Sequence, residues 1–289
     1  IKDIISRLAK DHSLTLEEYE LLISERTDEA ADELRRLAVE TRKKHYGNSI
    51  YIRGLIEISN ICKNDCLYCG IRRSNAACDR YRLTPDDILA CCAEGYELGF
   101  RTFVLQGGED GQLTDEWLEN IITDIRHTYP DAAITLSLGE RSKESYERLF
   151  AAGANRYLLR HEAADKELYN SLHPAEMSYE NRITCIENLK SIGYQTGMGM
   201  MIGVRGQTID DIAKDLELIA EMDCQMVGIG PFLPHKATPL GGEPAGSLEL
   251  TLAAVAIARL LLPHALIPST TALATLSPTG RLEGILSGA

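Results

Sequence analysis

From residue 51 onward the chain switches repeatedly between short strand-forming runs and longer amphipathic segments, and this alternation leaves few folds open. The strand-like runs fall at 51–58, 102–105, 133–138, 156–159, 195–202, 226–229 and 265–267, where β-branched, aromatic and other apolar residues cluster. Helical spacing fills the intervals at 85–98, 115–127, 142–152, 178–192, 209–222 and 248–262. Gly99, Gly153 and Gly193 stand where a helix would hand over to a strand, and glycine there supplies a left-handed cap. Repeated strand–helix–strand units build a parallel sheet. Seven such units with a helical lead-in suit a TIM-type (βα)8 barrel in 289 residues better than a doubly wound sheet. An eighth strand is not visible, so the expectation is a barrel whose last strand is missing from this chain. Residues 1–46 show two amphipathic patterns and are expected to form a helical extension packed on the barrel. Residues 47–289 are then a single catalytic barrel domain.

Composition narrows the function. The formal net charge of -13 opposes electrostatic affinity for nucleic acid or anionic membrane surfaces, which need excess Lys and Arg. The longest apolar stretch, at 251–263, carries Arg259 and is too short to cross a bilayer. The amino-terminal residues, with Lys2, Asp3, Arg7 and Lys10, do not read as a secretory leader. A cytosolic protein acting on a small molecule is expected, with no nucleic acid and no membrane. Its 8 Cys in a long chain suit a reducing compartment better than a disulfide framework.

Three of those cysteines, Cys62, Cys66 and Cys69, form a Cys-x3-Cys-x2-Cys loop directly after the first strand-like run. Iron–sulfur clusters usually take four Cys, so a three-Cys loop leaves one iron open to an exogenous ligand. The competing reading is a structural zinc scaffold, which would need a fourth ligand, and Cys78 is the only local candidate. The other thiols lie in apolar or mid-helix settings, where cysteine behaves as a small hydrophobe. Met198 and Met200 share a face of one strand-like run and read as core. His161, His235 and His264 read as satisfied polar residues, not bases.

The cysteine loop resembles that of the radical S-adenosylmethionine (SAM) superfamily. The resemblance implies a 4Fe-4S cluster held by Cys62, Cys66 and Cys69, with SAM on the fourth iron. It also implies reductive SAM cleavage to a 5'-deoxyadenosyl radical, chemistry that belongs to the cofactors while the protein orients and shields them. Further segments (residues 70–73, 80–84, 105–110, 135–140, 156–162, 206–211 and 226–232) resemble the FeFe-hydrogenase maturases of the HydE type across nearly the whole chain. That family assists assembly of the di-iron hydrogenase site, the H-cluster. Methylornithine synthase and, more distantly, biotin synthase are the alternative relatives.

Carried over by motif, Tyr68 would lie near the adenine, and the loop Gln106, Gly107, Gly108 and Glu109 would receive the SAM amine. By the same resemblance Glu162 would hold the ribose, and Ser137, Arg160 and Arg182 would meet the methionine moiety. Arg182 is the favoured carboxylate partner, since a guanidinium binds a carboxylate in a bidentate fork. Arg156, Thr270 and Thr271 would line a substrate pocket for an anionic, organometallic iron–cysteine species. The implied partners are an electron donor and other hydrogenase maturation proteins. Val204-Arg205-Gly206 and Gly107 depart from the family pattern at loop positions.

Overall fold

The computed structural model describes residues 1–289. Three helices lead in: α1 (Lys2–Asp11), α2 (Leu16–Ser24) and α3 (Asp28–Tyr46). Six strands follow: β1 (Gly54–Ser59), β2 (Thr102–Gly107), β3 (Ala133–Ser137), β4 (Arg156–Leu158), β5 (Gln195–Ile202) and β6 (Met226–Pro231). They pair in chain order, each parallel to the one before. The crossovers are α4 (Pro85–Glu97), α5 (Asp115–Thr128), α6 (Lys143–Ala151), α7 (Lys166–Leu172) with α8 (Tyr179–Ile192), and α9 (Ile209–Glu221). After β6 come α10 (Leu248–Leu261), α11 (Thr271–Leu276) and α12 (Gly280–Ile285). No pairing joins β1 to β6, so the sheet is a partial TIM barrel.

The helix starts are written in the local sequence. Thr84 with Asp87 and Thr208 with Asp211 form reciprocal capping boxes at α4 and α9, and Pro85 occupies a first-turn position of α4. Thr114, Ser142, Ser178 and Ser247 each accept an amide hydrogen at the start of α5, α6, α8 and α10. At the far end of α8, Gly193 takes φ +107, a conformation that disfavours any other residue, and turns the chain into β5.

Two expectations are corrected. The run at 265–267 makes no seventh strand. Leu266 pairs with Met226 in a single bridge, because Pro263 and Pro268 bracket a stretch too short for a ladder and lack the amides to extend it. The helix α7 was not anticipated: its 7 residues are too few to show a period, and it is set by Asp165, which accepts from Glu167 N and Leu168 N.

The apolar stretch at 251–263 turns out to belong to α10, whose residues Thr251 to Leu261 are all buried. The helix lies between β6 and α9 on one side and α1 and α3 on the other. A helix covered all round has no polar face to show. One apolar core therefore runs from Ile5, Leu8 and Leu34 through α10 into the strands. No helix is long and apolar enough to cross a membrane.

Candidate active site at the carboxyl ends of the strands

In a parallel barrel the loops that leave the strand carboxyl ends collect the chemistry. Here the loop after β1 carries Cys62, Cys66 and Cys69, three free, half-buried thiols. The loop is held from several sides. Lys63 N donates to Glu109 O (3.0 Å) and Leu67 N to Leu172 O (2.9 Å). Arg80 donates to the carbonyls of Asn60, Ile71, Arg72 and Asn75, stapling the end of the loop to its beginning. Asp65 accepts from Arg72 Nε at 2.8 Å and from the Ser74 hydroxyl at 2.6 Å. The Arg72 guanidinium foremost holds the Asp65 carboxyl well below the usual range, so this pair stays charged. Loop geometry that depends on so many fixed contacts is preorganised.

The loop after β2 packs against the cysteine loop with no room to spare. A Cβ on Gly108 would stand 2.3 Å from Ile61 O and 2.7 Å from Cys62 Cβ. Gly108 N donates to Ser59 O (3.1 Å), and Glu109 Oε1 accepts from Glu140 N (3.0 Å). The carbonyls of Gly108 and Glu109 already accept one amide each, from Asp110 and Lys63, leaving each oxygen a second lone pair. Asp110 ties this corner together. It takes both Arg82 Nε (2.7 Å) and Nη2 (2.8 Å), and the Ser59 hydroxyl (2.7 Å). Burial works against its charge, but Arg82 leads the donors that more than offset it and lower its pKa.

Inside the barrel, β5 and β6 present glycines to Arg160. A Cβ on Gly199 would lie 2.1 Å from Gly228 O and 3.1 Å from Arg160 Nε, so the side chain occupies space that only glycine leaves. Arg160 Nη2 donates to Met200 O (2.7 Å) and Gly228 O (3.1 Å), while its buried Nε has no partner. Glu162, two residues on, has φ +67 and a buried Oε2 without a hydrogen bond. Left-handed backbone at a non-glycine residue costs roughly 1–2 kcal/mol, so the surroundings must impose it. The Oγ1 of Thr270, 3.2 Å from where a Cβ on Gly230 would sit, is also buried and unpartnered. These three buried polar atoms without a hydrogen bond lie at one end of the barrel, with Arg160 Nη1 3.8 Å from Glu162 Oε2.

Arg182, in the first turn of α8, does not wait for a carboxylate. Its Nε donates to Glu140 Oε1 at 2.6 Å and its Nη1 to Arg160 O, and it lies over the Tyr169 ring. Burial alone would lower its pKa, but Tyr169, Glu140 and Tyr68 carry it above the ordinary value. Tyr68 reaches His173 Nε2 at 3.1 Å, and His173 Nδ1 is 2.7 Å from Tyr169 O. The second contact requires the proton on Nδ1, which makes Nε2 an acceptor for the Tyr68 hydroxyl. Burial pushes the His173 pKa down to about 4, so the ring stays neutral.

Of the expected residues, the structure gathers Cys62, Tyr68, Cys66, Cys69, the Gln106–Glu109 loop, Ser137, Arg160, Glu162, Arg182 and Thr270 at this end. Ser137 ends β3 in register with Gln106. Two residues fall elsewhere. Arg156 opens β4 at the opposite end, with its Nε on Gln195 Oε1 at 2.6 Å and Arg53 nearby. Thr271 is exposed on the first turn of α11. Sequence reasoning passed over Asp65, Arg80, Asp110, Glu140, Tyr169 and His173. Only Asp65 carried a local signal, lying inside the cysteine loop itself.

The donor set fits the group such a loop would hold. Cys66 and Cys69 are raised, chiefly by burial, and Cys66, raised to about 12, also feels Cys69 and Cys62. Thiols so placed need a cationic centre to become thiolates. No three Cys, His, Asp or Glu donors converge on one ion position. A single zinc would require that, whereas in a 4Fe-4S cluster each thiolate takes its own iron.

Comparison with known proteins agrees with this architecture. The Radical SAM superfamily profile matches residues 56–219. The chain is 47% identical over 254 residues to the FeFe hydrogenase maturase subunit HydE of Thermotoga maritima, covering 88% of this chain and 72% of that protein. It is 28% identical to a 3-methylornithine synthase of Methanosarcina acetivorans, over 91% of this chain and 75% of the other. The crystal structure of methylornithine synthase (PylB) superposes with a TM-score of 0.90 at 27% identity, covering 99% of this chain and 84% of that one.

Proposed function

The chain belongs to the radical SAM superfamily and, within it, to the HydE family of FeFe-hydrogenase maturases, and from that premise we propose how its residues divide the work. The family's cofactors are a 4Fe-4S cluster and SAM, and the reaction class is reductive SAM cleavage in service of hydrogenase maturation. When bound, these groups supply a carbon-centred radical, a reagent the side chains cannot provide.

Cys62, Cys66 and Cys69 would hold the cluster through their thiolates. Tyr68, oriented by its bond to the neutral His173, would face the adenine. The second lone pairs of the carbonyls in the Gln106–Glu109 loop take the SAM amine. Glu162 Oε2 accepts from the ribose hydroxyls, and Ser137 contacts the methionine moiety. Because Arg182 is already paired with Glu140 and the Arg160 carbonyl, a SAM carboxylate would use that guanidinium's remaining N–H groups. The substrate is an anionic small molecule, an iron–cysteine species by its family, lying against Arg160 and Thr270. The Arg160 guanidinium lies 3.8 Å from Glu162 Oε2 through its Nη1 but leaves its buried Nε unpartnered in a glycine-lined notch, and this one observation carries the substrate reading. Arg156, at the other end, can reach only the far part of a ligand that extends through the barrel.

The partners we propose are a one-electron donor and the other maturation proteins that supply and receive the intermediate. Eight free thiols suit a reducing, cytosolic setting. Anaerobic reconstitution with iron and sulfide, followed by electron paramagnetic resonance with and without SAM, tests the cluster reading. A signal perturbed by SAM supports it, and zinc with no such signal overturns it. Lysine as substrate separates the methylornithine synthase alternative, which the close superposition keeps in view. Formation of a methylated ornithine from lysine would replace the maturase reading.

A further inference from the structure

Asp215 lies in the middle of α9 with no exposed surface, outside the barrel cavity and unused by the chemistry above. A carboxylate so placed is costly unless it is hydrogen-bonded. Its Oδ1 accepts from Ala164 N at 2.6 Å and lies 3.0 Å from His161 Nε2, and His161 is fully buried too. These two contacts fall on either side of Glu162, the residue held at φ +67.

The end of β4 alternates. Arg160 points across Gly199 and Gly228 into the cavity, while His161 points the other way, to α9. Glu162 is otherwise anchored by its own amide on Gly199 O (3.0 Å) and by a single bridge to Met200. The backbone that carries both cavity-facing charges is thus held by Arg182 on the Arg160 carbonyl and clamped from behind by one carboxylate.

We propose that Asp215, acting through His161 and the Ala164 amide, is a positioning residue that sets where Arg160 and Glu162 offer their free atoms to SAM and substrate. This rests on the reading that Glu162 and Arg160 face those ligands. A role in stability alone fits the pair poorly. His161 Nδ1 and Asp215 Oδ2 are both buried without partners, and replacing both members of a buried hydrogen-bonded pair with apolar side chains is often neutral for folding.

The test uses the reconstituted holoenzyme, with SAM affinity measured by anaerobic titration, 5'-deoxyadenosine formation, thermal midpoint, and amide-hydrogen exchange of residues 160–164. The variants are Asp215→Asn, Asp215→Leu, His161→Gln, the double change His161→Phe with Asp215→Leu, and Glu162→Ala as reference. Asp215→Asn keeps the acceptor and His161→Gln keeps the donor, so both should bind SAM nearly as the parent does. Asp215→Leu and the double variant should weaken SAM binding roughly 10- to 100-fold, as expected when a binding group is misplaced by about an ångström. Exchange at 162–164 should quicken, while the double variant keeps its thermal midpoint. If Asp215→Leu and the double variant bind SAM like the parent while Glu162→Ala does not, the positioning role is wrong. If Glu162→Ala itself leaves SAM affinity unchanged, the site reading fails and the proposal with it. Should Asp215→Leu alone not fold, the double variant carries the test, and failure of that variant to fold would make the pair structural and overturn the proposal.

Discussion

The two ends of the barrel treat their arginines differently. At the carboxyl end three guanidiniums meet carboxylates, Arg72 with Asp65, Arg82 with Asp110 and Arg182 with Glu140, while Arg80 and Arg160 donate to backbone carbonyls of the site loops and strands. At the amino end, apart from the exposed Arg101–Asp131 pair, the guanidiniums meet uncharged oxygens. Arg42 donates to Ser49 O, Arg156 to the Gln195 side chain, and Arg259 to Gly288 O (2.7 Å), Pro263 O (2.9 Å) and Ala265 O (2.8 Å). Burial lowers Arg259 to about 10, and Arg53 and Arg156 are likewise lowered. Ion pairs fix direction as well as distance, and so suit the end where reacting groups must be aimed. Carbonyl staples close chain ends and turns. The difference assigns precision to one rim and closure to the other.

The strongest way to break this division is at the cysteine loop. Cys66→Ala should abolish iron retention and SAM cleavage while leaving the thermal midpoint of the metal-free protein nearly unchanged. Retained SAM cleavage, or collapse of the apo fold, would contradict it. Next, Arg182→Met leaves the partly buried Glu140 with Asn181 as its remaining side-chain partner and should cost about 3 kcal/mol in chemical denaturation, with weaker SAM binding besides. Arg259→Met should cost roughly 3 kcal/mol by leaving carbonyls unsatisfied, yet the folded fraction should bind SAM as the parent does. If Arg259→Met changed SAM affinity, the two rims would not be separable.

A smaller effect tests the adenine side. His173 titrates near 4 when folded against 6.5 ordinarily, so between those values the unfolded chain binds a proton that the folded chain refuses. The contribution of the neutral ring is therefore full above pH 6.5 and is lost as pH falls toward 4. Denaturation midpoints measured across that window should fall less steeply for His173→Gln than for the parent, and equal slopes would refute the neutral tautomer. Smallest of all, Arg156→Gln should leave SAM affinity unchanged and shift stability by less than about 1 kcal/mol.

The reach of sequence reasoning follows from distance along the chain. The cysteine loop and the helix caps are contiguous, so their chemistry is legible in a few residues, and the sheet order follows from strand–helix alternation. The partnerships of Glu140 with Arg182 and of His161 with Asp215 join residues on different elements, and no local pattern names which acid a buried base will meet. His161 reads as a satisfied polar residue, but only its Nε2 is paired, its Nδ1 is not, and its partner stays hidden. Arg156 and Arg160 show a different limit. Period-two alternation places both on one face of the same strand, yet says nothing about depth, and depth puts one at each end of the barrel. The bridge at Leu266 shows a third, since three apolar residues between prolines read as a strand until a neighbour is asked to pair with them.

The glycine notch at Gly199 and Gly228 bears on how this cavity can change. A single methyl on Gly199 would run into the backbone oxygen of Gly228, 2.1 Å away, and no side-chain movement can relieve a collision with main chain. That wall is closed to gradual remodelling by point substitution. New substrate preferences would have to arise on the facing side, where Thr270 and Arg160 contribute side chains that can be exchanged one at a time.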